Sequence, residues 1–551
     1  MQYTLPLTQF SQQVAAHPDK PYLHQPVNQV WHTLSWGQVN DQARRVASGL
    51  LAQGLVAGDR VAIMAKNSAE WLISDLAIMM AGLVSVPIYS TAGQETIEHI
   101  LKHSEAKVLF IGKLDSTEAA AAVLARHQIL VVSYPYPSVP DDGQQLQWTS
   151  WLDTYPELTE VHQASNEETM SLVYTSGSTG IPKGVVLSHH NLAAASHETA
   201  QRSPHSPSPR VMSYLPMAHI TERSVVGLAS FYKATEIFFV ESLDTFIADV
   251  RHAQPTVFLS VPRLWTKFQS QILARMSDAK LQKLLRIPIV GKLVARKIRK
   301  GLGLHKCLQF ASGSAPIPAD TLRWYQRLDM DICEGWGMTE TAGLSCGNIP
   351  FSSERIGTIG LPQPCVEMML SDQSEILIRG DAIFKQYYKN PEATAEAFSE
   401  QWFHTGDRAQ ITSDGAWKIV GRIKEQFKTS KGKFVAPVPI EGLLQGNSNV
   451  EQACVLGSGR KQPIAVIVLS ENITQKTSAI HNELQALLES TNSQLEGHQR
   501  LDHLLIAQTP WSIENDLLTP TLKIKRDQIA DRFDSFIHKT LPDTIVWENE
   551  L

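Results

Sequence analysis

Hydroxyl residues, glycines and one lysine are concentrated between residues 175 and 184, which read Thr-Ser-Gly-Ser-Thr-Gly-Ile-Pro-Lys-Gly. Such a segment can turn sharply and expose successive backbone N–H groups, and Lys183 adds a positive charge. We therefore predict a loop that binds a polyphosphate. It is not a P-loop, because Lys183 precedes its glycine and Val185 follows, where a P-loop needs Gly-Lys-Ser/Thr. A flexible surface loop is the alternative that this segment alone leaves open.

A second segment, residues 334–341, combines glycines with an aromatic residue, a hydroxyl and a carboxylate. Trp336 can stack on a base, and Thr339 can bind a phosphate. Glu340 can hold Mg²⁺, a cation that prefers oxygen ligands. Taken alone, the segment is equally well explained as an ordinary turn.

Three more segments end in turns that suit a ligand. Residues 310–316 are rich in small side chains, so a flat ring could approach their backbone. Residues 404–407 are predicted to place a carboxylate on a tight turn, where it suits two vicinal ribose hydroxyls. Residues 214–219 are predicted to form a strand that ends in a turn carrying His219, although a lone histidine is usually structural.

Strands and helices alternate along the first part of the chain. Apolar spacing predicts helices at 36–57, 69–80 and 96–103, and strands at 59–64, 81–88, 107–111 and 171–174. This alternation indicates βαβ units around a parallel sheet, which binds its ligands at the carboxyl ends of its strands. The strand at 171–174 ends at the predicted phosphate loop.

The last part of the chain has a different pattern. A strand is predicted at 417–420, and the polar run 428–433 is a candidate domain boundary. Strands around 453–456 and 464–468 and helices around 480–495 and 524–538 then indicate a small α+β domain.

Composition excludes several classes of protein. A net charge of −6 over 551 residues argues against nucleic-acid binding, which needs a basic surface. The five cysteines form no CxxC pair and are predicted to be free thiols in a reducing compartment. The N-terminus lacks a signal-peptide pattern, and the apolar run at 76–89 is too short to cross a bilayer. We therefore expect a cytoplasmic protein.

Residues 280–306 contain nine lysines or arginines and no aspartate or glutamate. Ile289, Val290, Leu293, Val294 and Ile298 form an apolar stripe within this run. One interpretation is a solvated basic helix that covers the core. The other is a surface for anionic lipid headgroups or an anionic co-substrate, which would give peripheral membrane association.

Taken together and in this order, these segments resemble the adenylate-forming enzymes, which include acyl-CoA synthetases, luciferases and peptide-synthetase adenylation domains. The motifs that carry the resemblance are residues 175–184, 335–340, 405–407 and 421–422 and a lysine near the C-terminus. Residues 215–219, 261–263, 430–441 and 518–526 more closely resemble bacterial long-chain acyl-CoA synthetases.

The resemblance implies an α/β fold with a large N-terminal domain of layered subdomains, residues 1–421, whose sheets are mostly parallel. It also implies a small, mobile α+β C-terminal domain, residues 422–551. The implied reaction has two steps. A carboxylate attacks the α-phosphate of ATP to give acyl-AMP and pyrophosphate, and a thiol, usually that of coenzyme A, then takes the acyl group. The expected substrate is a medium- to long-chain fatty acid, and Mg²⁺ is the expected metal.

The resemblance also implies site residues. The phosphate loop would hold the β- and γ-phosphates through Thr175, Ser176, Gly177, Ser178, Thr179, Gly180 and Lys183. Around the rest of the nucleotide it implies Thr339 at the α-phosphate, Glu340 on Mg²⁺, Asp407 and Arg422 at the ribose, and Gly313, Ser314, Ala315, Trp336 and Gly337 near the adenine.

Three further roles follow from the resemblance. Lys523 would be the catalytic lysine between carboxylate and α-phosphate, although Lys525 lies two residues on and Thr521-Leu522 replaces the usual Ser-Gly. Lys424 would be the hinge between the domains. His219 would lie at the entrance of the acyl pocket.

Alternative functions stay open at this point. The acyl group could pass to an acyl-carrier protein, or the enzyme could activate another carboxylic acid. A degenerate ligase fold that only binds lipid or nucleotide is a more remote alternative. The sequence does not indicate the oligomeric state.

Overall fold

The computed structural model describes residues 2–136, 138–140, 143, 145–175, 181–447, 449–470, 473, 475–513, 515–519, 523–537 and 543–550. Within these residues, two large sheets with helices packed on them account for most of the chain. Helices and strands alternate as the sequence predicts, and in both large sheets most neighbouring strands run parallel.

The two strands that flank the predicted phosphate loop belong to an eight-stranded sheet, which we call the loop sheet. Its strands, in spatial order, are Gln386–Tyr387, Lys183–Ser188, Thr169–Thr175, Val84–Ile88, Arg60–Ala65, Val108–Gly112, Leu130–Ser133 and Leu146–Gln147. The first three are joined by antiparallel pairs, and the others pair in parallel.

A nine-stranded sheet lies beside it, which we call the second sheet. In spatial order its strands are Leu361–Pro362, Gly343–Gly347, Ile332–Met338, Gln309–Ser312, Val257–Ser260, Arg210–Ser213, Glu236–Phe239, Pro21–Val27 and Val30–Ser35. The adenine residues 313–315 therefore directly follow one of its strands, and Trp336 lies within the next.

Three smaller sheets complete the fold. One contains Val366–Leu370, Glu375–Gly380, Trp402–Ile411, Phe398–Ser399 and Trp417–Arg422. Phe427–Lys428 pairs with Phe434–Val435. The sheet nearest the C-terminus contains Val450–Leu456, Ile464–Leu469, Leu504–Ile506 and Ile545–Trp547.

The helices pack mainly on the faces of these sheets. In the N-terminal two-thirds they are Pro6–Ala16, Trp36–Ala52, Ala69–Met80, Gln94–Ser104, Glu118–Leu124, Trp148–Thr154, His189–Arg202, Ala229–Lys233, Phe246–Ala253, Pro262–Arg275, Asp278–Leu285, Pro288–Leu302 and Ala319–Gln326, with a π-helix at Glu222–Leu228. The remaining helices are Pro391–Ala397, Pro437–Gln445, Ser478–Ser493, Arg526–Arg532 and Asp534–Ile537.

Helix Ala69–Met80 has the bounds that the apolar spacing predicts, and it lies in the main core. Its Asp75 forms a buried, two-point ion pair with Arg223 of the π-helix, with nitrogen–oxygen distances of 3.0 and 2.7 Å. Arg223 also donates to the Ser171 hydroxyl, on a strand of the loop sheet. One buried guanidinium therefore ties together a helix, a π-helix and a strand. No helix in the described part of the chain is long and apolar enough to cross a membrane.

Several sequence predictions need correction. The helix predicted at 36–57 ends at Ala52, because Gly54 adopts φ +82°. The strand predicted from residue 214 lies earlier, at Arg210–Ser213. The carboxylate predicted on a tight turn, Asp407, lies instead inside the ten-residue strand Trp402–Ile411.

Candidate functional site

The phosphate loop connects two strands of the loop sheet. Strand Thr169–Thr175 ends where the loop begins, and Lys183 starts the next strand, with Thr175 and Lys183 paired in register. Thr175 and Lys183 therefore mark the two ends of the loop. The other predicted loop residues, Ser176, Gly177, Ser178, Thr179 and Gly180, lie outside the described residues.

Lys183 and Glu340 are brought together by Tyr387, a residue that the sequence analysis missed. Tyr387 lies on the strand that pairs with Lys183–Ser188. The Lys183 ammonium lies 5.1 Å from the centre of the Tyr387 ring. The Tyr387 hydroxyl donates a hydrogen bond to Glu340 Oε1 over 3.0 Å. A cation, an aromatic ring and a carboxylate thus form one cluster beside the loop.

Glu340 lies in the short 3₁₀ helix Thr339–Thr341, which follows strand Ile332–Met338. Both Thr339 and Glu340 are buried. Burial raises the pKa of Glu340, while the Tyr387 hydrogen bond and the positive charges of Arg422 and Lys523 act in the opposite direction. A cation near this carboxylate would therefore stabilise its ionised form.

Asp407 is buried with donors already on both carboxylate oxygens. Trp336 Nε1 donates to one oxygen over 2.9 Å, and Arg422 Nε donates to the other over 2.7 Å. Arg422 is the direct cross-strand neighbour of Asp407. The Asp407 charge, followed by other carboxylates, raises the pKa of Arg422 above its ordinary value. The predicted base-stacking and ribose residues are therefore linked by hydrogen bonds.

Lys523 faces this cluster, and Lys525 does not. Desolvation lowers the pKa of Lys523, as does the Arg422 charge, while Asp407, Glu425 and Glu340 raise it. Lys523 itself is exposed to solvent. Lys525 instead forms an ion pair with Asp516.

His219 lies in the turn before the π-helix, where its Nδ1 accepts a hydrogen bond from the Thr221 amide over 3.2 Å. Burial and then the Lys523 charge lower the pKa of His219 to about 3, so its ring is neutral at physiological pH. The Lys523 charge thus acts on this ring, and the place of His219 at the entrance of the acyl pocket stays a prediction.

Among the residues predicted around adenine, Gly313 and Gly337 lie in closely packed backbone. Gly313 follows strand Gln309–Ser312, and Ser314 adopts a left-handed φ of +67°. A Cβ atom on Gly337 would lie 1.7 Å from the Gly343 carbonyl oxygen, so only glycine fits there. Ala315 is exposed. The structure thus gives Gly337 a packing role, and its contact with nucleotide stays a prediction.

An ion pair links the large sheets to the sheet nearest the C-terminus. Arg263, on helix Pro262–Arg275, donates to Glu451 of strand Val450–Leu456 over 2.7 Å. The predicted hinge residue, Lys424, is exposed and lies between strands Trp417–Arg422 and Phe427–Lys428. Its role as a hinge stays a prediction.

Two protein families match this chain. The family described as AMP-binding enzyme matches residues 10–388, and the AMP-binding enzyme C-terminal domain matches residues 424–543. The long-chain-fatty-acid–CoA ligase FadD15 of Mycobacterium bovis is 29% identical over 574 aligned residues, which cover 94% of each protein. Fatty acyl-CoA synthetase A of Dictyostelium discoideum is 30% identical, with 92% of this chain and 85% of that protein covered.

Solved structures share the fold. The anthranilate CoA ligase AuaEII in complex with anthranoyl-AMP has a TM-score of 0.80 at 21% identity, covering 97% of this chain and 98% of that one. ATP-bound MatB from Rhodopseudomonas palustris has a TM-score of 0.76 at 22% identity, with 97% and 100% covered. The α/β class and adenylate-forming fold predicted from the motifs are confirmed. This chain belongs to the AMP-binding enzyme family and is an enzyme of the ligase class.

Proposed function

We propose that this enzyme is a fatty acid–CoA ligase that joins a medium- to long-chain fatty acid to coenzyme A at the expense of ATP. The observation that carries the proposal is the linkage of Lys183, Glu340, Asp407, Arg422 and Lys523 by direct contacts and charge interactions. The fatty acid and coenzyme A are inferred from the names of the relatives, which are a fatty-acid–CoA ligase and a fatty acyl-CoA synthetase. Both align with this chain over most of their length.

In the first step, a carboxylate oxygen of the fatty acid attacks the α-phosphorus of ATP. The bond to the β-phosphate breaks, and pyrophosphate leaves with the electron pair. Because both reactants are anionic, the site must hold them in place and offset their charge. Lys523 has a point charge on a flexible stem, which suits bridging the attacking carboxylate and the α-phosphate.

The leaving pyrophosphate would be held by Lys183 and the phosphate loop, with Thr339 at the α-phosphate. Asp407 and Arg422 would bind the ribose, since a carboxylate oxygen that accepts one donor can still accept a hydroxyl. Trp336 and residues 313–315 would enclose the adenine. Lys183 should therefore matter more for the use of ATP than for thioester formation.

Glu340 fits a magnesium ligand. It is an oxygen donor whose pKa is raised by burial, so a divalent cation beside it would stabilise the carboxylate. When bound, Mg²⁺ offsets the negative charge of the phosphates. Tyr387 holds the Glu340 carboxylate in position for that role.

In the second step, the thiol sulfur of coenzyme A attacks the acyl carbon. The bond to the phosphate oxygen breaks, AMP leaves, and the thiol loses its proton to solvent. We propose that the small C-terminal domain rotates about Lys424 between the steps, which withdraws Lys523 and brings residues 431–433 to the thiol site. Hinge switches of this kind change few backbone dihedrals. His219 would border the entrance to the acyl pocket.

The test is pyrophosphate release from ATP with saturated fatty acids of graded length, followed by detection of acyl-CoA once coenzyme A is added. We expect release with palmitate and acyl-CoA only in the presence of coenzyme A. If no acid supports release, the proposed substrate class is wrong. If acyl transfer needs a holo acyl-carrier protein in place of coenzyme A, the alternative acceptor is correct.

A further inference from the structure

Helix Pro288–Leu302 has two opposite apolar faces. On one face, Gly291, Ala295 and Leu302 are buried, and Val294 and Ile298 pack against the core that lines the second sheet. The predicted basic helix over the core is therefore present. Contact with the core, however, covers only part of the apolar stripe, since Val294 and Ile298 pack inward while Ile289 and Leu293 do not.

The other face combines exposed aliphatic and cationic side chains. Ile289 is 77% exposed and Leu293 is 62% exposed. At 3.6 residues per turn, Lys292, Arg296 and Lys300 lie on the same side of the helix, and all three are exposed. Together with the exposed Ile287, Val290 and Lys297, these residues form what we call the basic helix surface.

The charge of this surface is largely uncompensated. Among the nine cations at 280–306, Arg299 is the one with an ion-pair partner in the described part of the chain, Asp329 at 3.3 Å. Beside the surface, Arg286 and Arg327 border a depression of about 440 Å³ that is also lined by Gln282 and Leu285. The chain as a whole has a net charge of −6, so the positive charge of this surface is opposite in sign to that of the whole protein.

We propose that the basic helix surface docks onto an anionic lipid bilayer, with the helix lying in the plane of the interface. Lysines and arginines would contact headgroup phosphates, and Ile289 and Leu293 would enter the boundary with the acyl chains. Amphipathic helices with a cationic side and protruding aliphatic residues bind membranes in this way. The exposed aliphatic residues favour a bilayer over a soluble anion, which offers them no apolar contact.

The direct test is co-sedimentation of the full chain with vesicles of phosphatidylcholine alone or with about 30% phosphatidylglycerol, a fraction that gives a clearly negative surface. We expect binding only to the anionic vesicles, and weaker binding as salt increases. The paired substitution Lys292→Glu/Lys297→Glu should weaken binding by about tenfold or more, since each basic residue near such a surface contributes about fivefold.

Matched substitutions separate the two contributions. Ile289→Ser/Leu293→Ser should also weaken binding, because it removes the apolar contact and leaves the charges in place. Leu243→Ser removes an aliphatic side chain that is 88% exposed elsewhere, and Lys418→Glu reverses an exposed charge elsewhere. Both controls should bind vesicles like the unmodified protein.

Three results would overturn the proposal. The first is a failure of the binding assay to single out this surface. Either the unmodified protein does not bind anionic vesicles at low salt, or the control variants lose as much binding as the variants of the basic helix surface. The second is dimerisation in sedimentation velocity that the Ile289→Ser/Leu293→Ser variant abolishes, which would make a second copy the occupant. The third is a raised KM for coenzyme A in the charge-reversed variant without any change in vesicle binding, which would make a soluble anion the ligand.

Discussion

The Tyr387 hydroxyl donates a hydrogen bond to the Glu340 carboxylate over 3.0 Å, and the Lys183 ammonium lies over the ring of the same tyrosine. One side chain therefore positions both a carboxylate and the lysine at the end of the phosphate loop. Burial, followed by the Glu340 charge, raises the pKa of Tyr387, so the hydroxyl remains a donor at any physiological pH.

Tyr387→Phe should impair the use of ATP. The variant keeps the ring beneath Lys183 but leaves Glu340 without this donor, and a hydrogen bond to a charged group contributes about 1.5–3 kcal/mol. We expect the KM for Mg·ATP to rise by about tenfold, with a shifted Mg²⁺ dependence, measured by ATP–pyrophosphate exchange. The neighbouring Tyr388→Phe is the matched control and should change neither value. Similar effects in both variants would mean that Tyr387 acts only through packing.

Lys523→Ala should separate the two steps of the reaction. Loss of its ammonium should slow pyrophosphate exchange by roughly a hundredfold or more, as removal of one preorganised electrostatic group does elsewhere. Thioester formation from supplied acyl-AMP and coenzyme A should continue. Lys525→Ala removes a lysine that pairs with Asp516 and should leave both steps nearly unchanged. If Lys523→Ala slows both steps equally, or if Lys525→Ala has the larger effect, the assignment of Lys523 is incorrect.

The buried pair between Asp75 and Arg223 should be essential to stability. Asp75→Asn leaves the Arg223 guanidinium buried without its counter-charge, which typically costs about 3–5 kcal/mol. We expect a clear fall in the thermal midpoint, measured by circular dichroism. Asp75→Leu/Arg223→Met replaces both charges by apolar groups and should recover much of the loss. A single variant as stable as the unmodified protein would show that the pair contributes little.

Glu222 should make stability depend on pH. Burial raises its pKa to about 8, whereas an unfolded glutamate titrates near 4.5. In the folded protein the carboxyl therefore stays protonated while the unfolded chain releases its proton, so stability is lost as the pH rises from about 4.5 to 8. Glu222→Gln lacks this loss.

Thermal midpoints of both proteins across this range test the expectation for Glu222. At each pH, the midpoint of the unmodified protein is subtracted from that of Glu222→Gln. This difference should be at least about 2 °C larger at mildly alkaline pH than at acidic pH. Asp320→Asn, which changes an exposed carboxylate, is the control and should show no such trend. A difference between the proteins that stays constant with pH would contradict the assigned pKa.

Sequence patterns predicted the fold where burial follows a regular period. Helix Ala69–Met80 was predicted to the residue, because most of its residues are apolar and Ser68 caps its first turn. The pattern misled at residues 404–407, where the glycine indicated a turn. Gly406 does adopt φ +73°, yet the strand continues because His404 pairs with Leu377 and Asp407 pairs with Arg422.

The candidate site was predicted only where its residues belong to local sequence motifs. Glu340, Asp407 and Lys523 were predicted as site residues because local motifs contain them, and their roles stay predictions. Tyr387 belongs to no such motif. It reaches Glu340 because its two-residue strand pairs with Lys183–Ser188, and a contact between distant segments leaves no local period in the sequence.

The position of Lys523 in the chain has a consequence for protein synthesis. Its ammonium faces side chains from residues 340, 407 and 422, all of which leave the ribosome earlier. On the proposed function, an unfinished chain carries the groups that hold ATP but lacks the cation that the first step requires. A nascent chain should therefore form the reactive acyl-adenylate only slowly until the segment that contains Lys523 has been made.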